Sequence, residues 1–511
     1  MTRVDVLAAL GLCGQVLRLL AATLALPLVV AVYYGDPWVP FVVTGVVAIA
    51  AGTVLVKLAG DREVGAAEGL LMVALTWLLV AVVGALPYLI AAHGIGPWVA
   101  PTTPTSTLGS PVNALFESMS GFTTTGATVL GQIDTGVHGH AMLLWRQLTQ
   151  WLGGMGIVVL AVAILPQLSV GGAQLMAAEA PGPTLQKLTP RIRETALALW
   201  KIYAAITAIE ILLLLGVGAL NLDPAMTPYN ALTHGLTTMP TGGFSPEARS
   251  IEAFSMVTQL VIIPFMFLAG TSFPLMWHVL HEGRSAFDDV DEFRSYVLTL
   301  VGVTAILSVI LTIATTPATT TMTAVVDATF QALAIVTTTG YASVDFAAWP
   351  MGAQVVLLVA MFIGGSTGST AGGIKLLRWY LIIKAIRREL FTSTHPRAVR
   401  PVRLNGEPVD EEALQGVQSM TLMYLVVCAV GIAIIAIDVT RAGVSATGLE
   451  LVSVGATAIG NVGPAFGQFG PMGSFLALPV VSKLVMIALM WFGRLEVIPV
   501  LVLLTRTFWR S

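Results

Sequence analysis

The groups in this chain best placed to do chemistry are backbone carbonyls and side-chain hydroxyls, offered four times in one pattern. The segment Asn113-Ala-Leu-Phe-Glu-Ser-Met-Ser-Gly-Phe-Thr-Thr-Thr-Gly126 is matched without a gap by Asn230 to Gly243, Asp327 to Gly340 and Glu450 to Gly463. Their ends read Thr124-Thr125-Gly126, Thr241-Gly242-Gly243, Thr338-Thr339-Gly340 and Asn461-Val462-Gly463. Each segment opens with a residue suited to a helix N-terminus, runs for about two turns and stops at glycine. Short helices followed by irregular backbone, set around one axis, can replace the hydration shell of a monovalent cation with carbonyl oxygens. Glycine suits the point where the strand turns its carbonyls inward, because φ > 0 costs it little. Threonine hydroxyls add a second ring, and the helix C-termini aim partial negative charge at the ion. One such segment would read as a Thr/Gly-rich external loop; four in one register do not. In the second copy Gly242 and Gly243 both qualify, and the Asn113/Asn230 register favours Gly243. In the fourth, Asn461-Val462 replaces the threonines, so the hydroxyl ring is expected to be incomplete.

A second group of residues lies farther along each copy. Gln150-Trp-Leu-Gly-Gly154, Met266-Phe-Leu-Ala-Gly270, Met361-Phe-Ile-Gly-Gly365 and Met490-Trp-Phe-Gly-Arg494 share an aromatic-apolar-small pattern. The third continues as Gly364-Gly365-Ser366-Thr367-Gly368-Ser369-Thr370-Ala371-Gly372-Gly373, which cannot hold a helix, since each glycine costs about 1 kcal/mol against alanine. A broken helix joined by a flexible loop is expected there. Arg494 stands at the depth where that loop begins. A cation within a membrane span faces a water-filled cavity or a partner, so Arg494 either projects into a pore or pairs with Glu496 or with carbonyls. Glu117 could attract cations or cap its helix. His234 reads as a packed histidine rather than a pH sensor, and Asp134, Glu247 and Asp345 could charge a pore mouth.

These groups need apolar elements to position them, and the composition supplies those. Hydrophobic residues make up 56% of the 511 positions and charged residues 10%, more apolar surface than a soluble fold can hide. The expected class is an all-α polytopic membrane protein. A two-helix hairpin (1–60) precedes four tandem helix–pore-loop–helix repeats at 61–168, 169–284, 285–392 and 414–511, the third with a broken second helix. That makes about ten spanning helices around a pseudo-four-fold pore, with a polar linker at 393–413. Arg62, Lys187, Arg191, Arg193, Arg284, Arg294, the basic cluster from Arg378 to Arg403, Arg506 and Arg510 fall in alternate loops or the tail. The positive-inside rule then puts both termini in the cytoplasm. Arg146, Arg249, Arg441 and Lys483 are left for the opposite side. Cys13 and Cys428 sit in apolar segments and imply no disulfide. The first segment reads as a retained anchor rather than a signal peptide.

No Walker loop, dinucleotide fingerprint, HExxH or CxxC occurs, and the glycine-rich run at 364–373 lies inside an apolar span, so an enzyme is not expected. A coupled secondary transporter is the nearer rival, because such proteins also use repeats and broken helices. Here, however, the repeats are parallel and four-fold.

The four-fold unit resembles the superfamily of K+ transporters that includes Trk, Ktr and plant HKT proteins, over nearly the whole chain. The two extra N-terminal helices and the segment His395-Pro-Arg-Ala-Val-Arg-Pro-Val-Arg-Leu-Asn-Gly406 are similar to the TrkH/TrkG branch. The resemblance implies filter glycines at Gly126, Gly243, Gly340 and Gly463, with K+ bound by the filter residues named above. It implies a constriction made by the 364–373 loop and Arg494. It also implies a homodimer with one pore per protomer in a bacterial plasma (inner) membrane. Serine at the first filter position accompanies Na+ permeation in this superfamily; Gly126 stands there, so K+ selectivity is expected. H+ or Na+ coupling stays open. No cofactor is expected on the chain itself and no nucleic acid as partner. A cytosolic TrkA-like ring carrying a nucleotide is expected to dock on loops around 169–195, 278–294 and 387–412, the acidic Asp288-Asp289-Val-Asp291-Glu292 among them.

Overall fold

The structure is a computed structural model and describes residues 4–60, 62, 65–94, 106–159, 192–283, 290–314 and 321–510. Among them helix is nearly the only regular element, as the bilayer demands of backbone groups that find no water. Six helices among the described residues are long and apolar enough to cross a membrane: Val6–Tyr34, Val39–Ala59, Ala67–His93, Ala196–Ala219, Asp291–Ala314 and Glu411–Arg441. Their outward faces carry exposed apolar side chains such as Val46, Leu212, Val301 and Ile437, a surface for hydrocarbon. The first two helices meet through small residues. A β-carbon on Gly14 would lie 2.6 Å from the Gly52 carbonyl oxygen, so the backbones touch.

The remaining elements form four units, each an outer span, a short helix and an inner span. The short helices are Pro111–Phe122, Pro228–Thr238, Thr321–Val336 and Gly448–Gly460. They are buried where an external loop would be exposed, as every residue from Phe116 to Phe122 and from Thr233 to Thr238 shows. They start earlier than their sequence register implies. Asn113 and Asn230 lie inside the first turn and bond back to Thr107 O (2.8 Å) and Ala225 O (2.9 Å). Asp327 lies a turn and more inside its helix and binds Ser343 Oγ at 3.0 Å. The fourth has a capping box, Thr447 with Glu450.

The inner spans depart most from expectation. The first, His140–Val159, runs unbroken to the limit of the described residues. The second, expected as one helix, splits into Met256–Ala269 and Phe273–Glu282, bent by 95°. The third splits as expected, into Met351–Ala360 and Leu376–Thr394. The fourth ends at Arg494 and resumes at Ile498–Leu503, across the left-handed residues Glu496 and Val497. Three of the four inner spans therefore break at the level of Gly270, Gly365 and Arg494.

The polar linker is folded. Arg403–Leu404 pairs with Glu407–Pro408 across an Asn405-Gly406 turn in which both residues have positive φ. Asp291 binds the Asn405 amide at 3.0 Å and Lys384 at 3.2 Å, which pins this hairpin to the third outer span. Asp291 is thus engaged within the chain rather than free for docking. Asp288, Asp289, Arg284 and nearly all of 169–195 lie outside the described residues.

Candidate ion pathway

The four Thr/Gly strands meet in a closed ring. A β-carbon on Gly126 would lie 2.2 Å from Gly242 O, on Gly243 2.0 Å from Thr339 O, on Gly340 1.9 Å from Val462 O, and on Gly463 2.7 Å from Thr125 O. Each glycine abuts the carbonyl of the residue that precedes the next copy's glycine, and the fourth returns to the first. All four have positive φ: 80°, 76°, 72° and 111°. Gly242 does not share that conformation, so Gly243 is the structural counterpart of the other three. Two residues earlier, Thr124, Thr241, Thr338 and Asn461 are all left-handed, at φ of 52° to 57°. A β-branched residue there is a true outlier, and the same outlier in the three threonine copies marks a backbone held by its surroundings. The turn closes alike in each: Thr124 N donates to Gly121 O, Thr241 N to Thr238 O, Thr338 N to Ile335 O and Asn461 N to Ala458 O.

Side chains complete the ring unevenly. Thr125 and Thr339 hydroxyls bond to Thr123 and Thr337 at 2.8 and 2.7 Å. Gly242 and Val462 have no hydroxyl at that level, so this ring is incomplete twice and not only in the fourth copy. Asn461 Nδ2 crosses to Thr125 Oγ1 at 3.0 Å and to Met490 O at 3.0 Å, tying the last strand to the first.

Behind the ring, polar residues one turn into the short helices brace the strands that leave it. Glu117 is fully buried and binds Arg146 Nε at 2.7 Å and Val129 N at 3.0 Å. Of the alternatives open for Glu117, attracting cations at a mouth does not fit, because its carboxylate is enclosed and spent on this pair. Arg146 lies within His140–Val159 rather than in a loop, stacked 4.0 Å over Phe244. Lys483 is likewise in a helix, 2.9 Å from Asn113 Oδ1. Arg494 is therefore one of several buried basic residues. His234 is buried between Asn230 O (2.7 Å) and Ser245 Oγ (3.0 Å), a packed histidine. Asp134 and Asp345 cap short turns at Gly136 N and Ala347 N, and Glu247 receives Asn230 Nδ2.

Beneath the ring lies the 364–373 loop. Its ends are joined, Gly364 N donating to Ile374 O at 2.8 Å. Its crown bonds to the second and fourth units and to the third unit's own strand. Thr370 Oγ1 donates to Met239 O (2.9 Å) and Ala269 O (3.1 Å), and Gly372 N donates to Thr338 Oγ1 at 2.7 Å. Arg494, 2% exposed, donates to Thr370 O at 2.8 Å and to Gly153 O at 3.3 Å. Its partners are carbonyls; Glu496 pairs instead with Arg378. Glu292, read from sequence as a docking charge, accepts from Thr367 N and so anchors the loop. Nothing in an acid at the start of a span announces that role.

A family model for cation transport proteins, TrkH, matches residues 39–509. The chain belongs to the TrkH family. It is thus a multi-pass membrane protein of a transporter family, not an enzyme. The Trk system potassium uptake protein TrkH of Halomonas elongata is 37% identical over 98% of this chain and 99% of its own length. Its namesake in Escherichia coli K12 is also 37% identical, over 98% of both chains, and TrkG of that organism is 31% identical. The crystal structure of the potassium transporter TrkH from Vibrio parahaemolyticus superposes with a TM-score of 0.84 at 32% identity, covering 99% of each chain. This all-α TrkH architecture is the one the sequence resemblance implies.

Proposed function

We propose that this chain takes up K+ across a bacterial plasma membrane through the ring formed by Thr124–Gly126, Thr241–Gly243, Thr338–Gly340 and Asn461–Gly463. The observation that carries the reading is the closure of that ring, with four left-handed glycines each against the next copy's carbonyl. Carbonyl oxygens so fixed substitute for the water around a K+ ion, and the short-helix C-termini add negative potential. Glycine at all four positions, Gly126 included, and relatives named as potassium uptake proteins favour K+ over Na+.

The loop Gly364–Gly373 and Arg494 form the gate in this reading. Residues of three units hold the loop, so displacing it requires breaking bonds to Met239, Ala269, Thr338 and Arg494 together. The guanidinium adds an electrostatic barrier to a cation leaving the ring. Both termini are cytoplasmic, the chain forms a homodimer, and a TrkA-like nucleotide-binding ring on the cytoplasmic face moves the loop.

The test is radiolabelled Rb+ uptake into liposomes holding the purified chain, with Na+ competition and an imposed pH gradient. Uptake driven by the Rb+ gradient alone is expected. Uptake that requires the proton or Na+ gradient would replace the channel-like mechanism with symport, and absence of uptake would defeat the reading altogether.

A further inference from the structure

We infer that Gln150 is a positioning residue for the second strand of the ring, occupying the space of the side chain Gly242 lacks and thereby setting ion preference there. The inference rests on the ring being the ion's path. Gln150 comes from the first inner span, is fully buried, and reaches across a repeat boundary. Its Nε2 donates to Gly242 O at 2.6 Å and its Oε1 accepts from Phe244 N at 3.1 Å. The two prongs bracket left-handed Gly243.

Two departures from the four-fold pattern coincide here. At the level of Gly242 the other strands carry Thr125, Thr339 and Val462; at the level of Gln150 the other inner spans carry Met266, Met361 and Met490. The unique small residue and the unique polar residue fill one volume. A β-carbon on Gly242 would lie 2.4 Å from Gln150 Cδ and Oε1 and 2.9 Å from its Cβ. Two consecutive glycines beside a lumen would otherwise leave that strand the freest of the four, because glycine gives up the most conformational freedom on ordering. A carbonyl free to swing can close around a smaller ion or turn away from a larger one. The amide prevents both, and by donating to Gly242 O it also lowers the negative charge that oxygen offers in this quadrant. Either cage size or field strength then depends on Gln150.

The decisive comparison is parent, Gln150→Met, Gln150→Glu and Gln150→Met with Gly242→Thr, all full-length and reconstituted. Preference is read as the ratio of Rb+ to Na+ competition constants, and independently as the difference in unfolding temperature in K+ and in Na+. Loss of two buried hydrogen bonds predicts a roughly tenfold fall in preference for Gln150→Met. Gln150→Glu keeps the shape and the acceptor for Phe244 N but opposes Gly242 O, so it loses preference too. The double variant restores the pairing used by the other strands and regains most of the ratio. If Gln150→Met fails to fold, Gln150→Glu and the double variant decide the question. Parent-like preference in Gln150→Met or Gln150→Glu, or a double variant no better than the single, overturns the inference. A parent that takes up no Rb+ defeats the functional reading instead, and the two failures are separate.

Discussion

Thr124, Thr241 and Thr338 hold a conformation that costs on the order of 1–3 kcal/mol apiece, and the glycines two positions on hold one that only glycine adopts freely. Steric distances rank the consequences. An alanine at Gly340 puts its methyl 1.9 Å from Val462 O, against 2.7 Å for Gly463 and Thr125 O. Gly340→Ala should abolish Rb+ uptake per folded protein, whereas Gly463→Ala should retain a measurable fraction; equal losses would show that the ring's spacing is not what matters. Arg494 sits one level below. With its guanidinium on Thr370 O and Gly153 O, Arg494→Ala removes both a tether and a charge. Uptake should rise roughly tenfold, equivalent to about 1.4 kcal/mol off the barrier, and unchanged uptake would refute the barrier role. These positions were legible because φ > 0 demands glycine and a cation in a span demands a reason. Gln150 and Glu292 were not: their partners are backbone amides and carbonyls far away in the chain, and such partners leave no mark on local sequence.

At the scale of elements, breaking three of the inner spans brings residues of the second, third and fourth units together, with Arg494 reaching the backbone of the first at Gly153. The break in the third span is written in ten residues of which only Ala371 favours a helix. Those in the second and fourth rest on Gly270-Thr271-Ser272 and on Leu495-Glu496-Val497, three residues each within apolar surroundings, so composition alone reads them as continuous helix. Helix starts differ from the sequence pattern for a related reason. Asn113, Asn230 and Asp327 look like caps, yet they bond to turns and strands outside their helices, and tertiary bonds outrank local propensity. The loop itself carries a prediction. Gly372 fits between Gly460 O and the Asn461 side chain, where a methyl would lie 2.5 Å and 2.9 Å away. Gly372→Ala should therefore lift the loop off the ring and raise basal uptake several-fold without changing Rb+/Na+ preference. Thr338→Val, which removes the acceptor of Gly372 N, should raise it too. Lower uptake in both variants, with protein amount and folding unchanged, would mean the loop supports the pathway rather than blocking it.

At the scale of the whole molecule, a single chain closes a ring by bringing Gly463 back to Thr125, so residues from the first and last quarters of the sequence must meet before the site exists. Buried asymmetric bonds fix that closure: Asn461 to Thr125, Gln150 to Gly242, and the Glu117–Arg146 pair behind the first strand. On the proposed reading they hold together a circle of carbonyl dipoles facing one lumen, which repel one another when nothing positive lies between them. A bound cation should then act as a keystone for the entire fold, because it binds the native state and not the unfolded chain. Such binding contributes about 2.7 kcal/mol when the ion stands at 100 times its dissociation constant. The purified chain should unfold at the highest temperature in K+ or Rb+, lower in Na+, and lowest in N-methylglucamine at equal ionic strength. Arg494→Ala should keep this order, since the arginine lies below the ring, whereas Gly340→Ala should erase it. Identical unfolding temperatures in K+ and N-methylglucamine for the parent chain would mean that the four strands meet without forming an ion site.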